Sequence, residues 1–267
     1  MISEDLDRVY LDRTRQLAEK NALPEVFQTL FSGGMQVIDG SFDPSLLGKK
    51  VGYLRKRLST DAWADQGTLT LDLDKAFPGA HGMFTAEYDS EIDENLVQCL
   101  KSAYPNVEAE ALPAMIRQEF KDYRRIKSVL LKSERHTFDF REHVPADWSL
   151  HAYTRGDARL IETAFANPQF HFIVSPQPID SRLGLHQLLH EVGHVVRYKE
   201  QTPEEIARES DMRGKDKMTV SEKKDLVRSE RDANAFALSH LWHFFGPEDM
   251  DIFRQLSYTA LLGYQRK

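Results

Sequence analysis

The chain has 267 residues, 41% of them hydrophobic and 10% aromatic, and a formal net charge of −7. That is enough for one large domain or two ordinary ones around a real core. The acidic balance argues against nucleic acid as a partner, because phosphate binding needs basic clusters.

The N-terminus, MISEDLDRVY, is charged and lacks the apolar region of a secretory signal. No stretch reaches the length of a membrane span, so no membrane partner is expected. A single cysteine, Cys99, excludes an intrachain disulfide and fits a reducing, cytoplasmic setting. With no basic or histidine neighbour in sequence, Cys99 reads as a buried thiol.

In chain order, residues 3–31 carry Leu6, Val9, Tyr10, Leu17, Val26, Phe27 and Leu30 at helical spacings. Ser32-Gly33-Gly34 breaks that pattern. It is a turn and not a phosphate loop, since no Lys-Ser/Thr follows. A short helix is expected over 45–58. GTLTLDL at 67–73 alternates like a half-buried strand. Residues 90–103 and 107–132 read as two helices, the second with a solvated basic face from Lys121 to Lys132. Thr137–Phe140 reads as a strand and 156–166 as a helix ending at Asn167-Pro168. Residues 169–174, QFHFIV, are rich in aromatic and β-branched side chains and read as the best strand of the chain, stopped by Ser175-Pro176. The character changes near residue 135. The sequence therefore divides into a mostly helical region over 1–135 and a second region over 136–267, an α+β, helix-rich organisation with a small sheet.

Chemistry concentrates in the second region. Residues 182–198 form an amphipathic helix with Leu185, Leu188, Leu189, Val192, Val195 and Val196 on its apolar side. Within it stands His190-Glu191-Val192-Gly193-His194, an HExxH pattern. Residues four apart lie about 40° apart around a helix, so both imidazoles can reach one tetrahedral zinc. Glu191 is placed to take a proton from attacking water as general base, while the metal acidifies that water and polarises the substrate oxygen. Gly193 leaves room for a close neighbour. Two histidines and a glutamate on an apolar helix are costly to bury without partners, which favours metal over an accidental pair.

A catalytic zinc takes three protein ligands and keeps one position open. The continuation HExxHxxGxxH is excluded, because Arg197 and Glu200 occupy its glycine and histidine positions. Residues 229–241, SERDANAFALSHL, offer a second helix instead. There Glu230 can bind the metal, and Asn234, one turn on, can hold the distal N–H of a ligand histidine. Ala233, Ala235 and Ala237 permit close helix packing. Taken alone, Glu230 reads as part of a polar run capping a helix at Ser229.

HEVGH followed by ERDANAFA resembles the ImmA/IrrE family of zinc metallopeptidases, within the wider zincin group. The likeness covers about residues 165–245, with Phe170–Val174 matching the family's strand. It implies a zincin-like metallopeptidase domain over 136–267 with one zinc per chain on His190, His194 and Glu230, and Glu191 as general base. It also implies an endopeptidase acting on a protein or peptide substrate, often a transcriptional repressor. Two departures stand out. The segment 199–228 is long and more than half charged, and reads as solvated helices or a flap over the cleft. Residues 1–135 do not look like a helix-turn-helix domain, so substrate recognition or regulation is their expected role.

Other polar residues have lesser claims. His186, one turn before His190, reads as a polar contact at the helix start. Tyr153, His151, His240, His243 and Tyr258 are possible donors to a transition-state oxyanion. The alternative function is a zincin-fold metal-binding sensor or partner-binding module with little or no proteolysis. Further rivals are a helical interaction protein without metal and a zinc hydrolase of non-peptide amides.

Overall fold

Two hydrophobic periods meet in this chain: a period of two that builds one sheet, and a period of 3.6 that lays helices on both its faces. A computed structural model describes residues 67–257 apart from 77–78, 120, 155–163, 177–178, 181, 214, 216, 251–252 and 255–256. The helices expected over 3–31 and 45–58, and Tyr258, lie outside the described residues.

The strands are β1 (Gly67–Asp72), β2 (Met83–Asp89), β3 (Lys121–Lys132), β4 (Thr137–Asp139), β5 (Ser149–Thr154), β6 (Phe165–Asn167) and β7 (Phe172–Pro176). They form a seven-stranded sheet in the order β1-β2-β3-β5-β7-β6, with β4 paired to β3. Among the described residues only β5 and β7 run parallel; the other pairs are antiparallel. The helices are α1 (Leu73–Ala76), α2 (Glu94–Ala103), α3 (Leu112–Glu119), α4 (Phe140–His143), α5 (Arg182–Tyr198), α6 (Pro203–Arg213) and α7 (Val220–Leu241). The fold is α+β with a mixed sheet.

Strand alternation separates two cores. On β7, Ile173 joins a large cluster with Phe84, Leu131 and Leu150 of the sheet, Leu185, Leu188, Leu189, Val192 and Val195 of α5, and Ala237 and Leu241 of α7. Its neighbours Phe172 and Val174 face the other way, into a smaller cluster with Leu96 of α2 and Ile116 of α3. The apolar side expected for α5 is the side that meets the sheet, and the helix has the expected limits, Arg182–Tyr198. Among the described residues no helix is long and apolar enough to cross a membrane.

The helix expected to continue to residue 132 ends at Glu119, and Lys121–Lys132 is instead a long strand inside the sheet. Its burial mimics a helix for two physical reasons. Tyr123 and Ile126 are both buried but on opposite faces, in the smaller and the larger cluster. Ile126 and Val129 then share a face because the register with β2 slips between Glu87↔Ser128 and Tyr88↔Ile126, leaving Lys127 as the extra residue of a bulge. A spacing of three thus arises without a helix.

The sheet also runs through residue 135. β1 to β3 precede it, β4 to β7 follow it, and Phe84, Leu131, Phe138 and Leu150 share one core. The division expected near 135 falls in the turn between β3 and β4, where Ser133 N–H donates to the His136 carbonyl at 2.8 Å. The described part of the expected helical region supplies three of the seven strands.

Two smaller expectations also shift. Phe165–Asn167, read as a helix end, is β6; residues 156–163 lie outside the described residues. The strand expected at 169–174 begins at Phe172. Before it, Asn167 Oδ1 accepts from the backbone N–H groups of Gln169 and Phe170 at 3.0 and 3.1 Å, and His171 takes a φ of 51°. This asparagine turn claims the residues that propensity assigns to the strand.

Cys99 is half-buried against the smaller cluster, and burial raises its thiol pKa.

α5 and α7 approach closely at Gly193. A Cβ there would stand 2.8 Å from Ala233 Cα and 2.9 Å from the Ala233 carbonyl oxygen. Both obstacles are backbone, so only movement of a whole helix relieves them. Gly193→Ala is predicted to destabilise the protein by roughly 1–3 kcal/mol through overpacking, read as a lower denaturation midpoint in urea. A variant as stable as wild type would refute this account of the helix contact.

Candidate metal centre

α5 supplies His190, Glu191 and His194 on the flank of the helix that turns from the sheet toward α7. α7 supplies Glu230 and Asn234. It begins well before Ser229: Thr219 caps it, accepting from Glu222 N–H at 3.3 Å while the Glu222 carboxylate accepts from Thr219 N–H at 2.8 Å. This capping box places Glu230 in the middle of a 22-residue helix. Ser229 is fully buried and is not a cap.

The expected residues converge. One ligand atom from each of His190, His194 and Glu230 lies within 4.8 Å of the others. His190 Nε2 is 3.2 Å from Glu230 Oε2, and His194 Nε2 is 3.5 Å from Glu230 Oε1. The two imidazole Nε2 atoms are 3.1 Å apart. Glu230 is 2% exposed, His194 3% and Asn234 0%. Asn234 Oδ1 lies 3.0 Å from His190 Nδ1. A carbonyl oxygen only accepts, so Nδ1 carries a hydrogen and Nε2 of the neutral ring presents its lone pair to the cluster. Two imidazole nitrogens and a carboxylate oxygen therefore point at one another in a nearly dry space. Such a set needs a proton or a cation among its members. Two nitrogens and one carboxylate oxygen form the donor set of a three-protein-ligand zinc site, so the residues fit that metal.

Electrostatics follow from this packing. Burial opposes ionisation of Glu230, but the Arg213 guanidinium and the two imidazoles outweigh it and hold the carboxyl well below its usual range. Burial likewise opposes protonation of His190. The Glu230 hydrogen bond, then the charges of Glu191 and Glu230, overcome it and raise that imidazole's pKa. Glu191 follows the first histidine and is 7% exposed.

The charged segment 199–228 contributes a residue that sequence reasoning did not single out. α6 is not solvated all round: Glu209 and Met212 are buried. Arg213, at its end, donates from Nη1 to Glu230 Oε1 at 2.6 Å and from Nη2 to Glu209 Oε1 at 2.9 Å. Glu209 Oε1 also accepts from Ser229 Oγ at 2.6 Å. The available signal was a spacing, Glu209 and Arg213 being four apart on one helix. Tyr198, one turn after His194, was missed too; its ring stacks on that histidine with centroids 6.2 Å apart.

The other histidines lie elsewhere. His186 is buried, with Nε2 2.9 Å from Ser257 Oγ, in line with a structural contact. His151 is buried on β5, its Nδ1 2.8 Å from Tyr123 Oη and its Nε2 2.8 Å from Ser149 Oγ, so both ring nitrogens are engaged away from the centre. His240 and His243 group with His136, whose ring stacks on His243 at 4.0 Å and whose Nε2 is 3.4 Å from His240 Nδ1. The Tyr153 side chain is outside what the structure describes.

Burial lowers the His151 pKa from 6.5 to about 4. The unfolded chain then binds a proton that the folded chain refuses, so stability falls as pH drops from 6.5 toward 4. The expected slope is up to about 1.4 kcal/mol per pH unit from this residue. Urea titrations of wild type and His151→Gln across that window should show a flatter pH dependence in the variant; equal slopes would contradict it.

The chain matches no protein-family model, no curated protein and no solved structure.

Proposed function

We propose that this protein is a zinc-dependent endopeptidase of zincin-like architecture, similar to the ImmA/IrrE metallopeptidases, with one zinc held by His190, His194 and Glu230. The single observation that carries the reading is the convergence of these three donors, from two helices, on one nearly dry point beside Glu191. Asn234 supports it by fixing the His190 ring with Nε2 toward that point. Bound zinc supplies Lewis acidity, acidifying water and polarising a carbonyl oxygen.

The chain's own residues do the rest. Glu191 accepts the proton from water as it attacks the peptide carbonyl, then returns it to the departing amine. Its carboxylate is suited to this because it neighbours the first ligand on α5 without being one of the three converging donors. The substrate is a protein or peptide, with a regulatory protein such as a transcriptional repressor as the preferred class. A cytoplasmic setting fits the single cysteine.

Two measurements test the proposal. Elemental analysis of the purified protein should find about one zinc per chain, and chelation should remove it. The zinc-loaded protein, incubated with a proteome-derived peptide library, should release new peptide termini detectable by mass spectrometry. Glu191→Gln should keep the zinc yet lose cleavage by roughly 10²-fold or more. Absence of zinc in wild type after reconstitution would overturn the metal reading. Zinc with cleavage no different from Glu191→Gln would overturn the peptidase and leave a metal-binding partner module.

A further inference from the structure

Glu230 has two oxygens, and the surroundings treat them differently. Oε2 lies 3.2 Å from His190 Nε2, and Oε1 lies 3.5 Å from His194 Nε2. Oε1 accepts a 2.6 Å hydrogen bond from Arg213 Nη1. An arginine nitrogen at that distance commits one lone pair of Oε1 and fixes the plane of the carboxylate.

Arg213 is itself held. Its second nitrogen, Nη2, donates to Glu209 Oε1 at 2.9 Å. Glu209 is 4% exposed and is locked from three further directions: by Ser229 Oγ at 2.6 Å, by Gln201 Nε2 at 3.3 Å and by Arg197 Nη2 at 3.5 Å. One guanidinium therefore bridges two buried carboxylates on different helices, α6 and α7. The planar fork suits this task; the point charge of a lysine does not span both.

We propose that Arg213 is the positioning residue of the metal centre: by holding Oε1 of Glu230 it leaves Oε2 as the ligand oxygen and keeps the carboxylate from binding through both oxygens. The inference rests on the metal reading of His190, His194 and Glu230. It also gives the charged segment 199–228 a function. α6 carries the Glu209–Arg213 pair to the centre, so the helix between the two motifs completes the site that the motifs begin. An opposite effect is physically available, since a guanidinium close to a dication repels it. The sign of the change in metal affinity separates the two.

The test uses the full chain. Zinc affinity is measured by competition with a chromophoric chelator for wild type, Arg213→Ala and Arg213→Lys, beside the visible absorption of each protein loaded with cobalt(II). Arg213→Ala is expected to bind zinc 10–100-fold more weakly. Its cobalt bands should also lose intensity as the freed carboxylate adds a fifth donor. Arg213→Lys, which keeps a charge but cannot bridge, should fall between wild type and Arg213→Ala, and it decides the matter alone should Arg213→Ala fail to fold. A lysine variant with wild-type affinity and spectrum overturns the proposal, as does an alanine variant that binds zinc equally or more tightly. Failure of wild type to bind zinc is a different result, one that removes the metal reading itself whatever the variants do.

Discussion

Everything distinctive in this structure depends on how near α7 can come to α5. At Gly193 the two backbones pass so closely that a single methyl group has no place. The residues on either side inherit that closeness. His190 and His194 flank Gly193 on α5, and Glu230 and Asn234 flank Ala233 on α7. Their side chains therefore need to span only a few ångströms to meet. With a wider gap, Glu230 would reach water before it reached an imidazole. The sheet takes no part in the convergence. It anchors the opposite side of α5 through Leu185, Leu188, Leu189, Val192 and Val195, and so fixes which flank of that helix is left to face α7.

Close packing creates an electrostatic problem that the structure solves locally. Glu230 and Glu209 are both almost wholly buried, and an isolated buried carboxylate is prohibitively costly. Arg213 answers for both at once, while Arg197, Gln201 and Ser229 satisfy the rest of Glu209. Each acid is thus ionised by design of its surroundings. The arrangement is also economical in sequence. α6 and α7 are adjacent in the chain, so no long-range pairing is needed to bring the arginine to the glutamate.

The grouping of the candidate site residues was more legible than the fold. The limits of α5, its apolar side and its two histidines all follow from one strongly periodic segment with spacings of three and four. Glu230 and Asn234 were legible only beside the HExxH pattern upstream, with the small alanines between them permitting another helix to come close. β3 was not legible. Its burial repeats every three residues because a bulge at Lys127 and a change of face between Tyr123 and Ile126 imitate helical spacing. Local pattern cannot distinguish these, since a bulge is specified by the partner strand. Arg213 and Glu209 were hidden for the converse reason. They sit in a run of charges where most members are solvated, and only the tertiary contact with Ser229 and Glu230 marks out these two. The shared sheet across residue 135 was hidden as well, because strand pairing over that distance leaves no local sign.

The charge count around the centre gives the arrangement a direction. Glu191, Glu209 and Glu230 are buried acids; Arg213 bridges Glu209 and Glu230, and Arg197 is shared between Glu209 and Asp232. The acids of this group outnumber the two arginines that pair with Glu209 and Glu230. Burial opposes a proton on His190, but the Glu230 hydrogen bond and the charges of Glu191 and Glu230 outweigh it and raise that imidazole's pKa. A dication held by His190, His194 and Glu230, as proposed, would offset that excess further. Arg213 matters to this balance beyond its hydrogen bonds. Without it, Glu209 and Glu230 would be two buried carboxylates with no cation bridging them.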